Sequence, residues 1–280
     1  MSRYLGSYGA TAALMALPAA FLGVFFLLPI AGSIAQSVGS TALDFSHYRR
    51  LVEVPLYRSV FLRTFEVALI VCAICLIVGY LCAYFIASLD SKWRTIAIGL
   101  ISFPFMLSVL VRNYVWMLIL QDTGLINRLL VDSGLIFQPL ELMYNRFAVV
   151  VAMVNMLLPY AILPILSSLL AIPRELKTAS SSLGASEMRT FIRVTLPLTV
   201  PGAAVAVLLT FIMGLGFYIT PAMLGGTREM MVANLIAFNV KEVLNWSLAF
   251  ALSTSLLAST LILYMIYRAL LPEATVLKAV

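Results

Sequence analysis

The chain has few charged side chains, only one histidine and three cysteines in 280 residues. Charged residues make up 11% of the sequence, whereas hydrophobic residues make up 62%. A water-soluble domain of this size has no core large enough for so much apolar surface. Because His47 is the only histidine, a metal cluster or catalytic triad that uses several histidines is excluded. We predict no catalytic residue and no metal ligand, and we expect that the chain is not an enzyme.

The sequence also lacks the pattern Gly-x-x-x-x-Gly-Lys-Ser/Thr, which forms the phosphate-binding loop of many ATPases. We therefore expect the chain to bind no cofactor, and any ATP and magnesium to lie on another polypeptide. Cys72, Cys75 and Cys82 fall inside one apolar run at spacings that place them on one helical face. We interpret them as small packing residues rather than as a disulfide or a metal site.

Long segments without charge are the main feature that the sequence does have. They cover residues 4–43, 67–89, 95–111, 147–173, 194–227 and 243–267. A helix needs roughly 20 apolar residues to cross the hydrocarbon of a bilayer, and these runs lack the alternation of barrel strands. The first run is too long for a signal peptide. The sequence predicts an all-α integral membrane protein, a single domain over residues 1–280, with spans at about 11–37, 65–89, 96–120, 147–171, 202–224 and 247–271.

Lys and Arg do not orient these spans, since they fall equally on the two sides of the predicted bundle. The segment 173–200 is the most structured polar loop on its side. It begins at Pro173, a residue tolerated in a first helical turn, and its first helix is predicted to end at Gly184. Ser186 is expected to cap a second helix. The apolar positions of that helix are predicted to share one face: Met188, Phe191, Ile192 and Leu196.

This loop resembles the cytoplasmic motif of the permease family of binding-protein-dependent ABC importers: Glu-Ala-Ala, three residues, Gly, nine residues, Ile, one residue, Leu-Pro. The matching positions are Thr178-Ala179-Ser180, Gly184, Val194 and Leu196-Pro197. Thr178 replaces the glutamate of the motif and Ser180 the second alanine. The resemblance implies a type I importer permease bundle whose coupling helix docks into the ATPase subunit. The implied coupling residues are Thr178, Ala179, Ser180, Leu183, Gly184 and Ala185.

Further motifs narrow the resemblance to permeases of the spermidine/putrescine type, and to the first of their two permease subunits. They are Phe103-Pro104-Phe105, Leu110 to Trp116, Gly124 to Asn127, Leu158-Pro159-Tyr160 and Pro221 to Gly226. The resemblance implies a bacterial inner-membrane protein with both termini in the cytoplasm. Its implied partners are two ATPase subunits, a second homologous permease and a periplasmic solute-binding protein, with no nucleic acid.

A polyamine that crosses this bundle would be attracted to aromatic faces, since the sequence places no carboxylate in mid-membrane. The predicted translocation-path residues are Arg112, Tyr114, Trp116, Tyr160, Phe217 and Tyr218. Arg112 interrupts the third span and either pairs with an acid such as Glu66 or contacts the solute. Gly214, Gly216 and Pro221 suggest that the fifth span is loosened beside Phe217.

Other functions stay open at this point. The same machinery with another cargo is the main alternative, for instance an amino-acid derivative, an opine or an organophosphonate. A secondary transporter is a weaker alternative, because the sequence places no Asp or Glu in mid-membrane for ion coupling and shows no convincing repeat.

Overall fold

The computed structural model describes residues 14–39 and 44–270, and every regular element within them is helical. We number the helices in chain order. They are α1 (Leu14–Ser37), α2 (Ser46–Glu53), α3 (Pro55–Ser88), α4 (Ser91–Met106), α5 (Val109–Leu120), α6 (Leu125–Asp132), α7 (Arg146–Leu170), α8 (Arg174–Ser182), α9 (Glu187–Leu215), α10 (Ile219–Leu224), α11 (Val232–Lys241) and α12 (Trp246–Leu270). The ends of the first and last predicted spans, residues 11–13 and residue 271, lie outside the described residues.

Five of these helices are long and apolar enough to cross a membrane: α1, α3, α7, α9 and α12. The sixth predicted span, 96–120, is not one straight helix. The chain bends by 98° between α4 and the segment Val109–Asp132, which contains α5 and α6. The bend lies where α4 ends in a 3₁₀ turn and Leu107 becomes extended. Pro104 lies in that turn and cannot donate a backbone hydrogen bond, which accounts for the end of the helical ladder. With this bent pair counted as one span, the described residues supply six.

Two helices extend well beyond their predicted boundaries. α3 has 34 residues and begins ten residues before the predicted start. Its extra turns carry Arg63, and Glu66 lies just inside the predicted start; both charges are paired at that end of the helix. α9 begins in the loop at Glu187 and ends at Leu215 rather than at 224, because Gly216 and Phe217 leave the helical ladder.

Close backbone approach between α3, α7 and α9 forms the main core. A Cβ atom on Gly202 of α9 would lie 2.5 Å from the Pro164 carbonyl of α7, and one on Gly79 of α3 would lie 2.9 Å from the Ala161 side chain. Small residues let membrane helices pack this tightly, since apolar burial drives association less in lipid than in water. Met153, Leu157 and Ile165 of α7 are fully buried in this core.

The described chain divides into two compact units. The larger contains Ser59–Leu235 and the described part of Ser259–Val280, including the core above. The smaller contains the described part of Met1–Arg58 and Ile236–Ala258. In the smaller unit the hydroxyls of Ser37 and Tyr48, 2.6 Å apart, link α1 to α2. Most large apolar side chains of α1 are exposed, as expected for a helix that faces lipid or another subunit.

Candidate functional site

The loop between α7 and α9 forms a tightly closed turn. The Gly184 and Ala185 amides donate to the Ser181 and Ser180 carbonyls, at 2.9 and 3.1 Å. This is the Schellman pattern, and it requires a left-handed residue immediately after the helix. Gly184 meets that requirement with φ +74°. The predicted end of the first loop helix at Gly184 is therefore explained by the backbone.

A second set of contacts fixes α8 against the start of α9. The Ser186 hydroxyl accepts a hydrogen bond from the Arg189 amide at 3.4 Å and caps α9. The hydroxyls of Ser180 and Thr190 lie 2.7 Å apart and join the two helices. Ser180 stands where the family motif has alanine, so this bond is specific to the side chain present here.

The apolar residues at the start of α9 do not share one face, contrary to the sequence-based expectation. Phe191 turns inward, and its ring meets Tyr80 and Tyr84 of α3 edge-on, with centroids 6.0 and 5.4 Å away. Met188 and Ile192 remain 67% and 54% exposed, and Leu183 is 87% exposed. A π-helical stretch, Phe191–Thr195, begins at this inward-facing residue.

The loop thus offers an exposed surface and an inward anchor. The six predicted coupling residues are close in sequence and lie on α8 and its terminal turn, with Leu183 most exposed. Tyr80 is held additionally by its hydroxyl, 2.8 Å from that of Thr199 on α9. Sequence reasoning did not identify Tyr80 or Tyr84, although both are polar aromatic residues near one end of an apolar run.

The predicted path residues on α5 have separate environments. Tyr114 is 60% exposed. The Trp116 indole donates to the Asn155 side chain of α7 at 3.4 Å. The Nε and Nη1 atoms of Arg112 are buried, and within the described residues they have no hydrogen-bond partner. Glu66 is not the partner of Arg112, because it lies within α3 and pairs with Arg146.

The other path residues lie on α7 and at the break after α9. The Tyr160 ring packs against Phe105, with centroids 5.0 Å apart. Phe217 packs on the main core, and the Tyr218 carbonyl accepts a hydrogen bond from Asn234 at 2.8 Å. The structure confirms that the fifth span loosens here. The recorded contacts join Trp116, Tyr160 and Tyr218 to different partners, so their role in solute passage stays a prediction.

The end of the bundle opposite the loop carries an ion-pair cluster that the sequence did not reveal. Arg146, the first residue of α7, contacts Glu66 at 2.6 Å and Glu229 at 3.2 Å. Arg63 lies 4.0 Å from Glu229. The cluster connects α3, α7 and the turn after α10. Its members are up to 166 residues apart in sequence, which is why only their position at the ends of apolar runs could have hinted at it.

Comparison with known proteins identifies the family of this chain. Residues 76–276 match the model of the family described as binding-protein-dependent transport system inner membrane component. The chain belongs to this family. It is thus an ABC importer permease subunit of the inner membrane and crosses the bilayer several times, and catalytic function is not its role.

Curated relatives are identical to this permease at close to a third of the aligned positions. The spermidine/putrescine transport system permease protein PotB of Salmonella typhimurium (strain LT2) is 33% identical over 221 residues, 79% of this chain and 77% of the relative. The PotB proteins of Escherichia coli (strain K12) and Haemophilus influenzae are 33% and 31% identical over 75% and 87% of this chain, and over 76% and 86% of their own lengths.

Solved structures agree with the fold of the permease. One chain of a bacterial alginate ABC transporter, crystallised with an alginate-bound periplasmic protein, superposes with a TM-score of 0.81 at 16% identity. The match covers 98% of both chains. A second alginate importer structure gives a TM-score of 0.73. At this level of identity the likeness concerns the fold alone.

Proposed function

We propose that this permease moves a polyamine such as spermidine or putrescine from the periplasm to the cytoplasm. The observation that carries the proposal is the similarity to relatives named as spermidine/putrescine permeases, which extends over 75–87% of this chain. Residues 76–276, which match the family model, include the loop, the predicted path and both halves of the bent α4–α5 pair. A permease for sulfate from Synechocystis is less similar, at 25% identity over 248 residues.

The permease would act in a complex with two ATPase subunits, a second homologous permease and a periplasmic binding protein. The exposure of Leu183, Met188 and Ile192 supports docking of an ATPase subunit, because large apolar side chains exposed beside a closed turn favour a protein partner. ATP and magnesium would be bound by that partner, since the sequence has no phosphate-binding loop.

The same assignment gives the orientation of the chain. With the α8 turn in the cytoplasm, α7 leads from the periplasmic side to the cytoplasm and α9 leads back. The 25 residues of α7 extend about 37 Å at 1.5 Å per residue, enough to cross the hydrocarbon. Both termini would then lie in the cytoplasm, and the Arg146 cluster would lie at the periplasmic end.

Alternating access would follow from movement of the α8 turn. Closure of the ATPase subunits would displace the turn, and the Ser180–Thr190 contact would transfer the displacement to α9. Phe191 would transfer it to α3 through Tyr80 and Tyr84. These contacts lie near the end of α3 and the start of α9, which are both long helices. A displacement at the cytoplasmic end would therefore reach the periplasmic end without local unfolding.

The test is ATPase stimulation of the reconstituted complex by binding protein loaded with spermidine or putrescine. The wild-type complex should be stimulated, whereas Gly184→Arg, assembled with a saturating amount of the ATPase subunit, should lose stimulation. Gly134→Arg is the matched control, because Gly134 also has positive φ, +72°, and open space around its Cβ position, but follows α6.

Two results would count against the proposal. If the wild type responds to a loaded binding protein only with another small solute, the importer assignment stands and the polyamine cargo is wrong. If Gly184→Arg and Gly134→Arg lose stimulation equally, the α8 turn has no special part in coupling.

A further inference from the structure

A cavity of about 440 Å³ lies where α5 ends and the chain approaches α7. It is lined by Met117, Gln121, Asp122, Glu141, Met143 and Tyr144. The volume falls within the range of small-molecule sites. Because the cavity lies near the Arg146 end of α7, the orientation proposed above places it at the periplasmic face.

The walls of this cavity are held in place by a buried side chain. Asn127, only 1% exposed, donates to the carbonyls of Gln121 and Leu140 at 3.3 and 3.0 Å. Its Oδ1 atom accepts a hydrogen bond from the Leu140 amide at 2.8 Å. One side chain therefore ties the α5 end to the segment that carries Glu141. A fully bonded buried amide of this kind fixes a loop in one arrangement.

Two further features preorganise the second wall. The Asn145 side chain donates to the Glu141 carbonyl at 2.7 Å and caps α7 by accepting from the Ala148 amide. Tyr144 adopts φ +57°, a conformation that side-chain-bearing residues rarely adopt and that persists when surrounding contacts impose it. Contacts from Asn127 of α6 and from Asn145, the N-cap of α7, thus hold the irregular segment that carries Glu141, Met143 and Tyr144.

The floor of the cavity rests on a small core. Met117 and Met143 pack on a cluster that contains Leu120, Ala148 and Leu224. Trp116, a predicted path residue, packs on the same cluster. The cavity is therefore adjacent to the helix that carries three of the predicted path residues.

The charge of the lining selects the ligand class. Asp122 and Glu141 both line the cavity, no Lys or Arg does, and in the described chain neither carboxylate has an ion-pair partner. The tyrosine ring offers a face for a cation, and the two thioethers offer a polarisable apolar surface. A chain with net charge +6 thus presents two unpaired carboxylates beside an aromatic ring.

An organic cation fits this lining better than a metal ion does. Among the described residues, no group of three or more His, Cys, Asp or Glu side chains could hold a metal. Calcium takes six to eight oxygen ligands, more than two carboxylates and one amide supply. An alkylammonium group needs fewer ligands, and its methylene chain can contact Met117, Met143 and the Tyr144 ring.

We propose that this cavity binds an ammonium group of a small alkylamine, with Asp122 and Glu141 as its counter-charges and Tyr144 as its aromatic face. The identification of that amine with the transported polyamine rests on the function proposed above. The site receives the solute after its release from the binding protein and holds it beside the path.

The test measures equilibrium binding of radiolabelled putrescine and n-butylamine to the complete complex in nanodiscs, without binding protein. The test variant is the double substitution Asp122→Asn with Glu141→Gln. The matched control is Asp132→Asn with Glu242→Gln, which removes the same charge from two exposed acids outside the cavity. Loss of two close counter-charges should weaken binding of both amines about tenfold or more, and the control should bind as the wild type does.

Three outcomes would overturn the proposal. The test variant could bind both amines like the wild type, or the control could weaken binding equally, which would indicate general surface charge. Alternatively, amine binding could stay unchanged while docking of the binding protein weakens, in which case the acids face that protein instead.

The polyamine proposal fails separately. If butylamine binding depends on the cavity acids but polyamine-loaded binding protein does not stimulate ATPase, the cargo assignment is wrong and the cavity site stands. If polyamine-loaded binding protein stimulates the ATPase but the double substitution does not change the affinity for butylamine, the cargo assignment stands and the cavity site is wrong.

Discussion

The backbone at Gly184 gives a prediction in which conformational strain and side-chain size have opposite effects. A Cβ atom built on this glycine meets no atom within 4 Å, so substitution creates no clash inside the chain. The cost comes from φ +74° alone, and for most side chains it is about 1–2 kcal/mol. For asparagine the free-energy cost is smaller, because its short polar side chain tolerates the left-handed conformation.

We expect coupling to decrease in the order Gly184, Gly184→Asn, Gly184→Ala, Gly184→Val. A cost of 1–2 kcal/mol reduces the population of the closed turn by about 5- to 30-fold relative to open forms. The affinity of the ATPase subunit for the permease should fall by up to the same factor for alanine, and further for the β-branched valine. The measurement is titration of the ATPase subunit into nanodisc-embedded permeases, read as binding and as stimulated ATP hydrolysis.

The position of asparagine in this series decides between two explanations. If the partner surface simply lacks room for a side chain, the larger asparagine should be worse than alanine. That order would refute the argument from backbone strain. The same substitutions at Gly134, whose φ is +72°, should leave ATPase affinity unchanged, since this glycine follows α6 at the other end of α7.

Three further substitutions test contacts inside the bundle. Phe191→Ala should leave the ATPase subunit bound but reduce the stimulation of ATP hydrolysis by loaded binding protein. The reason is the loss of two edge-on ring contacts worth about 0.5–1.5 kcal/mol each. The control Phe191→Tyr should keep most of the stimulation. Gly202→Ala should lower the stability of the complex by about 1–3 kcal/mol, because the added methyl group overpacks against α7. The control Gly99→Ala has open space at its Cβ position and should leave the stability unchanged. Thermal unfolding measures both. Asn127→Ala should lower the melting temperature and weaken butylamine binding together, since the tie between Gln121 and Leu140 is lost and the part-buried Leu140 amide is left without its partner, at a cost of about 1–3 kcal/mol.

Specific results would contradict these expectations. Full stimulation in Phe191→Ala would exclude the ring contacts from coupling. Equal melting temperatures for the Gly202 and Gly99 variants would mean that α7 and α9 separate easily. A destabilised Asn127→Ala permease with unchanged butylamine binding would show that the cavity does not depend on this clamp.

Apolar length predicted the membrane class and the six regions that can cross, because a span must satisfy its own backbone in lipid. It did not predict the direction of the chain. The bend between Met106 and Val109 falls within a charge-free run, so hydropathy alone gives no sign of it. The early start of α3 was missed for the opposite reason: Arg63 and Glu66 appeared to end the apolar run.

The candidate site also has features that the sequence predicted and features that it did not. The turn at Gly184 was predictable because it depends on local chemistry, a glycine at a helix end. The inward direction of Phe191 was not, since its ring contacts two tyrosines more than a hundred residues earlier. Asn127 was noticed only as part of a family motif, and its three backbone hydrogen bonds explain why an amide suits that position.

The length of α3 gives these separate contacts a common role. Tyr84 contacts Phe191 at the start of α9, and Glu66 belongs to the ion-pair cluster. The two residues are 18 positions apart on one unbroken helix, about 27 Å at 1.5 Å per residue. A continuous helix transmits a tilt at one end to the other, because bending it requires its hydrogen-bond ladder to distort. If the α8 turn moves as proposed, Phe191 at the start of α9 should move against Tyr84, and we expect the load on the Glu66–Arg146 contact to change. That contact borders the segment that carries Glu141 and Tyr144, so we expect the displacement to reach the cavity through α3.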